Sequence, residues 1–477
     1  MADDPVGPRR KVLWRWLLTL MIGFGIALIP PPEAISREAW TLFAIFIATI
    51  VGSIVQPLTG AAMVLLGVIA TAVFGALTPT EALKGYSEPV VWLVLAAFFL
   101  SVGMIKTGLG RRTALHFVRL LGGRTVGLGY ALIATDFVLA SVIPSNSARN
   151  GGVILPIARS ICETYDSRPY DGTARRLGTY LMTLLYQADV IICATFITGQ
   201  ASNIIIADLV QKNTDIQIGY LTWFAAAIVP ALVSLVAVPY LIFRLSPPEV
   251  KETPAAAQFA TGELEKLGPM KRQEWLMFCV LVSVVVFWTT KDHLHSVDTA
   301  IVAMSGICAL LVTRVIDWRD LMGEQAAWSV FVWYGGLVNM AAALSNTGLT
   351  QLFAGFVGGQ TSGFGWVAAL ALIALVYFYT HYLFASITAH VLAMFVPFLA
   401  VTLVAGAPAG LAVLLLAHFS NLNAGLTHYG TTPAPIYFGT GYVTLRQWWI
   451  VGFAASVVNI LIWAVIGAAW WKLLGWW

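Results

Sequence analysis

The sequence predicts an all-α polytopic membrane protein with about 11 transmembrane helices and two re-entrant hairpins. Hydrophobic residues make up 59% of the chain and charged residues only 10%, whereas a soluble domain carries roughly 25% charged residues. The apolar residues form successive blocks near the ~20 residues that a helix needs to cross a bilayer. Because these blocks are continuous, they indicate helices and not the alternating strands of a barrel.

The predicted spans are the apolar blocks between polar segments. The first block follows a basic segment at residues 9–11 but runs into Pro30 without a small-residue cleavage site. We therefore interpret it as a span and not as a secretory signal. The spans are predicted near residues 13–29, 38–56, 59–77, 89–109, 178–208, 221–244, 274–290, 297–313, 326–349, 408–440 and 447–475.

The distribution of Lys and Arg predicts the orientation of these spans. If the N terminus is cytoplasmic, most basic loop residues fall on the cytoplasmic side, as the positive-inside rule requires. The basic residues that fall outside are Arg37, Lys84, Lys212, Lys291 and Lys472. This asymmetry predicts a multi-pass protein of a bacterial inner membrane, with a cytoplasmic N terminus and an external C terminus.

The sequence carries few signals of other functional classes. The four cysteines lie singly in or beside apolar segments, which predicts neither a disulfide framework nor a metal site. No HExxH or GxSxG motif occurs. An intramembrane enzyme that uses buried His and Asp residues and a channel stay open as less favoured alternatives. We expect no cofactor, no metal ion and no nucleic-acid partner.

A repeat divides the chain near its middle. Similar residues recur at an offset of about 240 on either side of a polar linker, and each half holds an odd number of spans once the first is set aside. The copies should therefore have opposite orientations, as in many secondary transporters. The recurring groups are 107–109 with 347–349, 145–148 with 386–389, and Pro156 with Pro397. The predicted parts are an N-terminal segment and first span (1–37), a first repeat (38–246), a linker (247–273) and a second repeat (274–477).

Each repeat contains one predicted hairpin. The block 126–163 is broken at residues 144–152, and its return arm is too short in apolar residues to cross the bilayer. The block 365–404 has a similar break at residues 385–390. Irregular backbone at membrane depth is tolerated where it is buried in protein or lines a cavity. Ser and Thr at the start of each return arm suit N-cap positions.

Two spans have matching interruptions, at residues 198–203 and 430–435. The two hairpins and the two interrupted spans would direct the N termini of four half-helices to one region. Helix N termini favour anions, and Ser, Thr and Asn side chains add donors without fixed charge. A substrate with two carboxylates could place one of them at each hairpin tip.

These features resemble the divalent anion:sodium symporter family, most closely its branch of bacterial citrate/succinate exchangers and plastid 2-oxoglutarate/malate translocators. In that family each tip carries Ser-Asn-Thr, which contacts the substrate carboxylates. Residues 145–147 are Ser-Asn-Ser, and residues 386–388 are Ser-Ile-Thr, with Ile387 in the place of Asn. Thr432-Pro433 matches the Thr-Pro of the family's second interrupted helix, and Asn203 matches the Asn of its first.

The resemblance completes the set of candidate site residues. It implies an elevator-type transporter and a homodimer. The predicted substrate-binding residues are Ser145, Asn146, Ser147, Ser386, Thr388, Thr431, Thr432, Pro433, Gly199 and Asn203.

Two cationic side chains, Arg149 and His390, lie four residues after the tip serines. A charge at membrane depth is costly and needs a partner. In one interpretation Asp136, Asp189 or backbone carbonyls supply that partner. In the other, the cations form a fixed positive charge beside the anion site. The resemblance implies that sodium binds next to each tip in sodium-coupled members, so these residues would replace it in a charge-coupling role.

The sequence therefore predicts a secondary transporter that exchanges di- or tricarboxylates of the malate, succinate, 2-oxoglutarate, citrate or tartrate class. A positively charged site that crosses the membrane only when a dicarboxylate neutralises it would give obligatory, sodium-independent exchange. A sodium-coupled dicarboxylate symporter is the alternative. The expected partners are the carboxylate anion, the lipid bilayer and a second copy of the chain.

Overall fold

The computed structural model describes residues 8–33, 35–291, 293–345, 347–349 and 365–477. Within these ranges the chain is helical, with only two isolated β-bridges, Arg124 with Glu252 and Lys291 with His295. Nine helices in the described part of the chain are long and apolar enough to cross a membrane. The predicted all-α polytopic membrane protein is confirmed.

The α-helices follow the predicted order in both halves. Those up to residue 245 are Pro8–Leu28, Arg37–Val55, Gly60–Val73, Pro79–Leu83, Pro89–Thr107, Leu109–Leu121, Thr125–Ala140, Asn146–Arg149, Leu155–Thr164, Gly178–Thr195, Ala201–Asn213 and Tyr220–Leu245. Those that follow are Pro254–Leu267, Arg272–Thr290, Thr299–Val312, Trp318–Gly323, Gln325–Ser345, Trp366–Tyr379, Ile387–His390, Val396–Val404, Ala409–Leu422, Pro433–Phe438, Leu445–Leu461 and Ala468–Leu473.

Both hairpins consist of a helix, a short break and a return arm. The return arms begin after Ser145 and Ser386. Each serine hydroxyl accepts a hydrogen bond from the backbone N–H three residues later, at 3.2 Å in the first hairpin and 3.4 Å in the second. The predicted N-caps are therefore present, and they fix where each arm starts.

A π-helical turn follows both tips at the same distance from the cap. It spans Asn150–Ile154 in the first hairpin and Val391–Phe395 in the second. Such turns are rare and concentrate at functional sites, so the matched pair supports the predicted repeat. The predicted extent of the first break, residues 144–152, is wrong. The helix resumes at Asn146 because the Ser145 cap initiates it.

Both interrupted helices are also present. The first stops at Thr195 and resumes at Ala201. The second stops at Leu422, continues as a 3-10 turn over Asn423–Leu426 and resumes at Pro433. This second break starts earlier than the predicted 430–435. Two carbonyls freed at the second break accept hydrogen bonds from side chains of the first interrupted helix. Tyr186 donates to Ala424 O at 2.5 Å, and Gln187 donates to Gly425 O at 2.8 Å.

The centre of the protein is built from the first segments of these two interrupted helices. Every residue of Gly178–Thr195 is buried, as is nearly every residue of Ala409–Leu422. The two segments pack against each other. Their breaks therefore lie side by side in the interior, next to the hairpin tips.

The linker is more structured than the sequence indicated. It contains the helix Pro254–Leu267, which packs on Leu109–Leu121. Arg112 from the latter helix forms a buried ion pair with Glu274 at 2.6 Å and donates to Gly268 O at 2.8 Å. These contacts tie the linker to the first half of the chain.

Candidate substrate site

A cavity of about 310 Å³ lies where the two hairpin tips meet the two helix breaks. Serine, threonine, asparagine and glutamine side chains supply its polar lining, and no ionisable side chain lines it within the described ranges. Its polar lining residues are Ser53, Gln56, Ser145, Asn146, Ser147, Gln200, Ser202, Ser386, Thr388, Thr431 and Thr432.

The apolar wall of the cavity comes mainly from other helices, which also contribute the polar residues Ser53 and Gln56. Val64, Phe98, Val330, Trp333 and Leu337 contribute side chains to it. The hydrogen-bonding groups are thus concentrated on the hairpins and interrupted helices. An anionic ligand would be held by that polar wall, whose donors carry no fixed charge.

The first tip is hydrogen-bonded to the second break. The Asn146 side-chain amide donates to the Thr431 hydroxyl at 3.3 Å, and the Ser147 hydroxyl donates to that of Thr432 at 2.5 Å. Behind them, the Tyr437 hydroxyl donates to Asn150 Oδ1 at 2.6 Å. These bonds connect residues from the two predicted repeats across the cavity floor.

The second tip has no such cross-links to the residues that the structure describes. Ser386 is exposed, and within the described ranges its side chain forms only its own helix cap. Thr388 is partly exposed, and its hydroxyl has no hydrogen-bond partner in the described part of the chain. Ile387 is 3% exposed and presents an apolar side chain where the first tip presents an amide. The two ends of the cavity therefore offer different chemistry to a ligand.

Arg149 lies behind the first tip and is fully buried. Its Nε donates to Asp136 Oδ1 at 2.7 Å, and its Nη2 donates to Asp189 Oδ1 at 3.1 Å. Its Nη1 donates to the carbonyls of Ile143 and Gly199 at 2.6 and 2.7 Å. The guanidinium thus joins the end of the first hairpin arm to the first helix break.

The equivalent region behind the second tip contains neutral groups. Tyr377 and Ser420 occupy the positions that correspond to Asp136 and Asp189, and their hydroxyls are hydrogen-bonded at 2.7 Å. The His390 ring packs on Tyr377 with a centroid distance of 4.5 Å. Gly430 O accepts a hydrogen bond from His381 Nε2 at 2.9 Å, as Gly199 O does from Arg149.

A chain of amide hydrogen bonds links the two interrupted helices. Gln200 Nε2 donates to Asn421 Oδ1, whose Nδ2 donates to Asn203 Oδ1 at 2.9 Å. Asn203 Nδ2 in turn donates to the carbonyls of Cys193 and Phe196, at 2.7 and 2.9 Å. Asn203 therefore holds the first break in its unwound form and does not line the cavity.

The structure brings most of the predicted substrate-binding residues to the cavity. Those that line it are Ser145, Asn146, Ser147, Ser386, Thr388, Thr431 and Thr432. Those that lie behind it are Gly199, Asn203 and Pro433, together with the predicted charge-coupling residues Arg149 and His390. Arg149 has the carboxylate and carbonyl partners that the first interpretation named, and it does not line the cavity.

Several lining residues were not among the predicted site residues. Gln200 and Ser202 lie within the predicted first break, so the interruption itself was the available signal. The Ser202 hydroxyl is buried and has no partner in the described ranges. Ser53 and Gln56 come from the end of Arg37–Val55, where no motif marked them.

Comparison with known proteins identifies the family. The chain matches the family model described as the sodium:sulfate symporter transmembrane region over residues 10–477. It belongs to the divalent anion:sodium symporter family. The predicted family is thus confirmed, and the chain is a membrane transporter and not an enzyme.

The chain also resembles named members of this family along their length. It is 44% identical to "Dicarboxylate transporter 1, chloroplastic" of Arabidopsis thaliana, covering 100% of this chain and 86% of that protein. It is 43% identical to "Putative malate transporter YflS" of Bacillus subtilis, with 97% and 96% covered. It is 32% identical to the "L-tartrate/succinate antiporter" of Shigella sonnei, with 96% and 97% covered.

A solved structure shares the fold. The Alcanivorax borkumensis YdaH transporter superposes with a TM-score of 0.52 at 13% identity, covering 98% of both chains. At this identity the likeness concerns the architecture alone.

Proposed function

We propose that this chain exchanges small di- and tricarboxylates across a bacterial plasma membrane by sodium-independent antiport. The observation that carries the proposal is the cavity between the hairpin tips, with its many neutral donors and no ionisable side chain among the described residues. The names of the relatives from Arabidopsis, Bacillus and Shigella support the dicarboxylate class. The Shigella name supports antiport.

In this proposal one substrate carboxylate binds at each tip. The return arms start at Asn146 and Ile387, and their first backbone N–H groups lie next to the cavity lining. Helix N termini attract negative charge through these N–H groups. The Thr388 hydroxyl and the second N–H of the Asn146 amide add side-chain donors.

The hydrogen bonds behind the tips support sodium independence. In sodium-coupled carriers, carbonyls of unwound helix segments coordinate the cation. Here Arg149 donates to the carbonyls of Ile143 and Gly199, and His381 donates to that of Gly430. These three carbonyls therefore already have protein donors, which leaves them less available to a cation.

The contrast between the two cavity walls supports obligatory exchange. In an elevator mechanism the polar wall would slide past the apolar wall that includes Phe98 and Trp333. Among the described lining residues, the hydroxyls of Ser202 and Thr388 have no partner, and an empty site would carry them into that apolar contact, which is costly. A bound dicarboxylate would pair with them, so the loaded site would move more readily than the empty one.

Sodium-coupled dicarboxylate symport is the competing function, and one observation favours it. Asn423 Oδ1 and Thr427 Oγ1, both buried at the second break, have no hydrogen-bond partner in the described part of the chain. Oxygen atoms of this kind are typical ligands of hard cations. A cation at the second tip alone would make uptake depend on sodium.

Proteoliposome counterflow tests the proposal. Vesicles preloaded with succinate should take up labelled succinate at the same rate in sodium chloride and in choline chloride. Vesicles without internal dicarboxylate should take up little. An Asn146→Ala variant should lower the rate in both salts, since it removes a lining donor. Uptake that needs sodium and ignores internal dicarboxylate would establish symport instead.

The same proposal includes a cytoplasmic N terminus and a homodimer. Labelling of single cysteines introduced near the two termini, in intact and in opened cells, tests the orientation. The mass of the detergent-solubilised protein, measured by light scattering, tests the homodimer.

A further inference from the structure

The Arg149 cluster contains more acidic groups than basic ones. One guanidinium faces the carboxyl groups of Asp136 and Asp189, and the three side chains are at most 4% exposed. If both carboxyls were ionised, the cluster would carry a net negative charge in the protein interior. An uncompensated buried charge is strongly unfavourable.

The guanidinium has no free N–H group left to donate another hydrogen bond to the carboxylates. Its five N–H groups match five acceptors, which are Asp136 Oδ1, the carbonyls of Ile143 and Gly199, Asp189 Oδ1 and Cys193 Sγ. Asn150 Nδ2 supplies one more hydrogen bond to Asp189 Oδ1, at 2.8 Å. The Oδ2 atoms of both aspartates are buried and have no partner among the residues that the structure describes.

We propose that the Asp136–Asp189 pair is a proton-binding site that holds one proton, so that the Arg149 cluster is neutral. The proton converts one carboxylate into a carboxyl group, and the other carboxylate balances the guanidinium. The proton comes from solvent when the chain folds and stays bound while the hairpin functions.

The titratable groups around the Asp136–Asp189 pair add no further charge to the cluster. The other titratable groups nearby are the Cys193 thiol, 3.4 Å from Asp189 Oδ1, and the Tyr437 and Tyr186 hydroxyls. Thiols and phenols are ordinarily neutral near pH 7, so they leave the count unchanged. At the second tip the corresponding pair, Tyr377 and Ser420, is neutral as well.

Infrared spectroscopy of the purified wild-type protein tests the proposal directly. A protonated carboxyl gives a C=O stretching band that shifts in heavy water. The band should be present at neutral pH and should disappear in both Asp136→Asn and Asp189→Asn, because a single remaining carboxylate pairs with Arg149 without a proton. Asp208→Asn is the control, since Asp208 pairs with Lys212 elsewhere, and it should keep the band.

Thermal unfolding gives a second readout. Each single Asn variant should melt close to the wild-type temperature, because its cluster stays neutral. The double variant leaves the guanidinium uncompensated and should melt lower by roughly 3–5 °C. The proposal is overturned if the wild type lacks the band, if both single variants keep it, or if each single variant is destabilised as much as the double variant.

Neither readout involves transport. The proposed exchange activity can therefore hold even if the Asp136–Asp189 pair binds no proton. Equally, the pair can hold its proton even if the protein is not an exchanger.

Discussion

The two hairpin tips have the same backbone, yet different interactions stabilise them. Both have a serine cap, a single α-turn and a π-helical turn. Behind the first tip, a buried guanidinium joins two carboxyls and two carbonyls. Behind the second, a tyrosine–serine hydrogen bond and the tilted rings of Tyr377 and His390 occupy the corresponding positions. The two tips are thus more alike in backbone conformation than in the side chains that surround them.

Because of this difference, we expect the two tips to contribute differently to substrate binding. The first tip is bonded to the second break through Asn146 and Ser147, and it is largely buried. The second tip makes no such bonds in the described ranges, and its cap residue Ser386 is exposed. We expect the first tip to be a preformed half of the site, and the second to depend more on substrate for its order.

The largest effect should come from removing the guanidinium. Arg149→Ala leaves two buried carboxyls and the carbonyls of Ile143 and Gly199 without their donor, which should cost about 3–5 kcal/mol of stability. The matched change at the second tip, His390→Ala, removes hydrogen bonds to Thr380 and Asn423, worth about 1 kcal/mol each. Thermal unfolding of both variants in detergent measures the difference.

Arg149→Lys sharpens this comparison. A single ammonium group keeps the charge but cannot reproduce the planar set of five donors. We expect its stability to lie between those of the wild type and Arg149→Ala. Equal stability of the Arg149→Ala and His390→Ala variants would contradict the difference between the tips.

A substitution that makes the tips more alike should have a smaller effect. Ile387→Asn places an amide at the second end of the cavity, where Ile387 is buried. Without substrate the amide lacks a partner, so the protein should lose about 1–3 kcal/mol. Saturating succinate should then raise the melting temperature more than it does in the wild type, because the carboxylate pairs with the amide. A ligand-induced shift smaller than that of the wild type would show that Ile387 contributes packing alone.

The smallest effects should distinguish the tip hydroxyls. Ser147→Ala removes the hydrogen bond to Thr432 and should cost about 1 kcal/mol without substrate. Thr388→Ala removes a hydroxyl that has no partner in the described part of the chain, so only succinate affinity should fall. Unfolding with and without succinate separates the two outcomes. A loss of ligand-free stability in Thr388→Ala as large as in Ser147→Ala would show that the second tip is preorganised too.

Much of this architecture could be predicted from local sequence. Polar and Gly-rich interruptions in apolar blocks located both hairpins and both helix breaks, because irregular backbone at membrane depth must line a cavity or be buried in protein. The caps at Ser145 and Ser386 followed from the preference of serine for helix starts. The π-helical turns were not predictable, since no local sequence signal distinguishes them from an uninterrupted α-helix.

The partners of the polar residues depend on contacts that are distant in sequence. Arg149 bonds to Asp189, 40 residues away, and Asn146 to Thr431, 285 residues away. Sequence reasoning named Asp136 and Asp189 as possible partners but could not choose between a paired guanidinium and one that faces the substrate. The apolar wall around Trp333 was missed because its residues look like any other membrane-spanning side chains.

Succinate affinity with and without sodium tests most directly whether the protein's own donors take the place of sodium at both tips. Isothermal titration of the purified wild-type protein should give the same dissociation constant in sodium chloride and in choline chloride, within about twofold, or 0.4 kcal/mol. A dissociation constant tenfold lower in sodium would contradict the account and assign a cation to the second break, where Asn423 Oδ1 and Thr427 Oγ1 have no partner among the described residues.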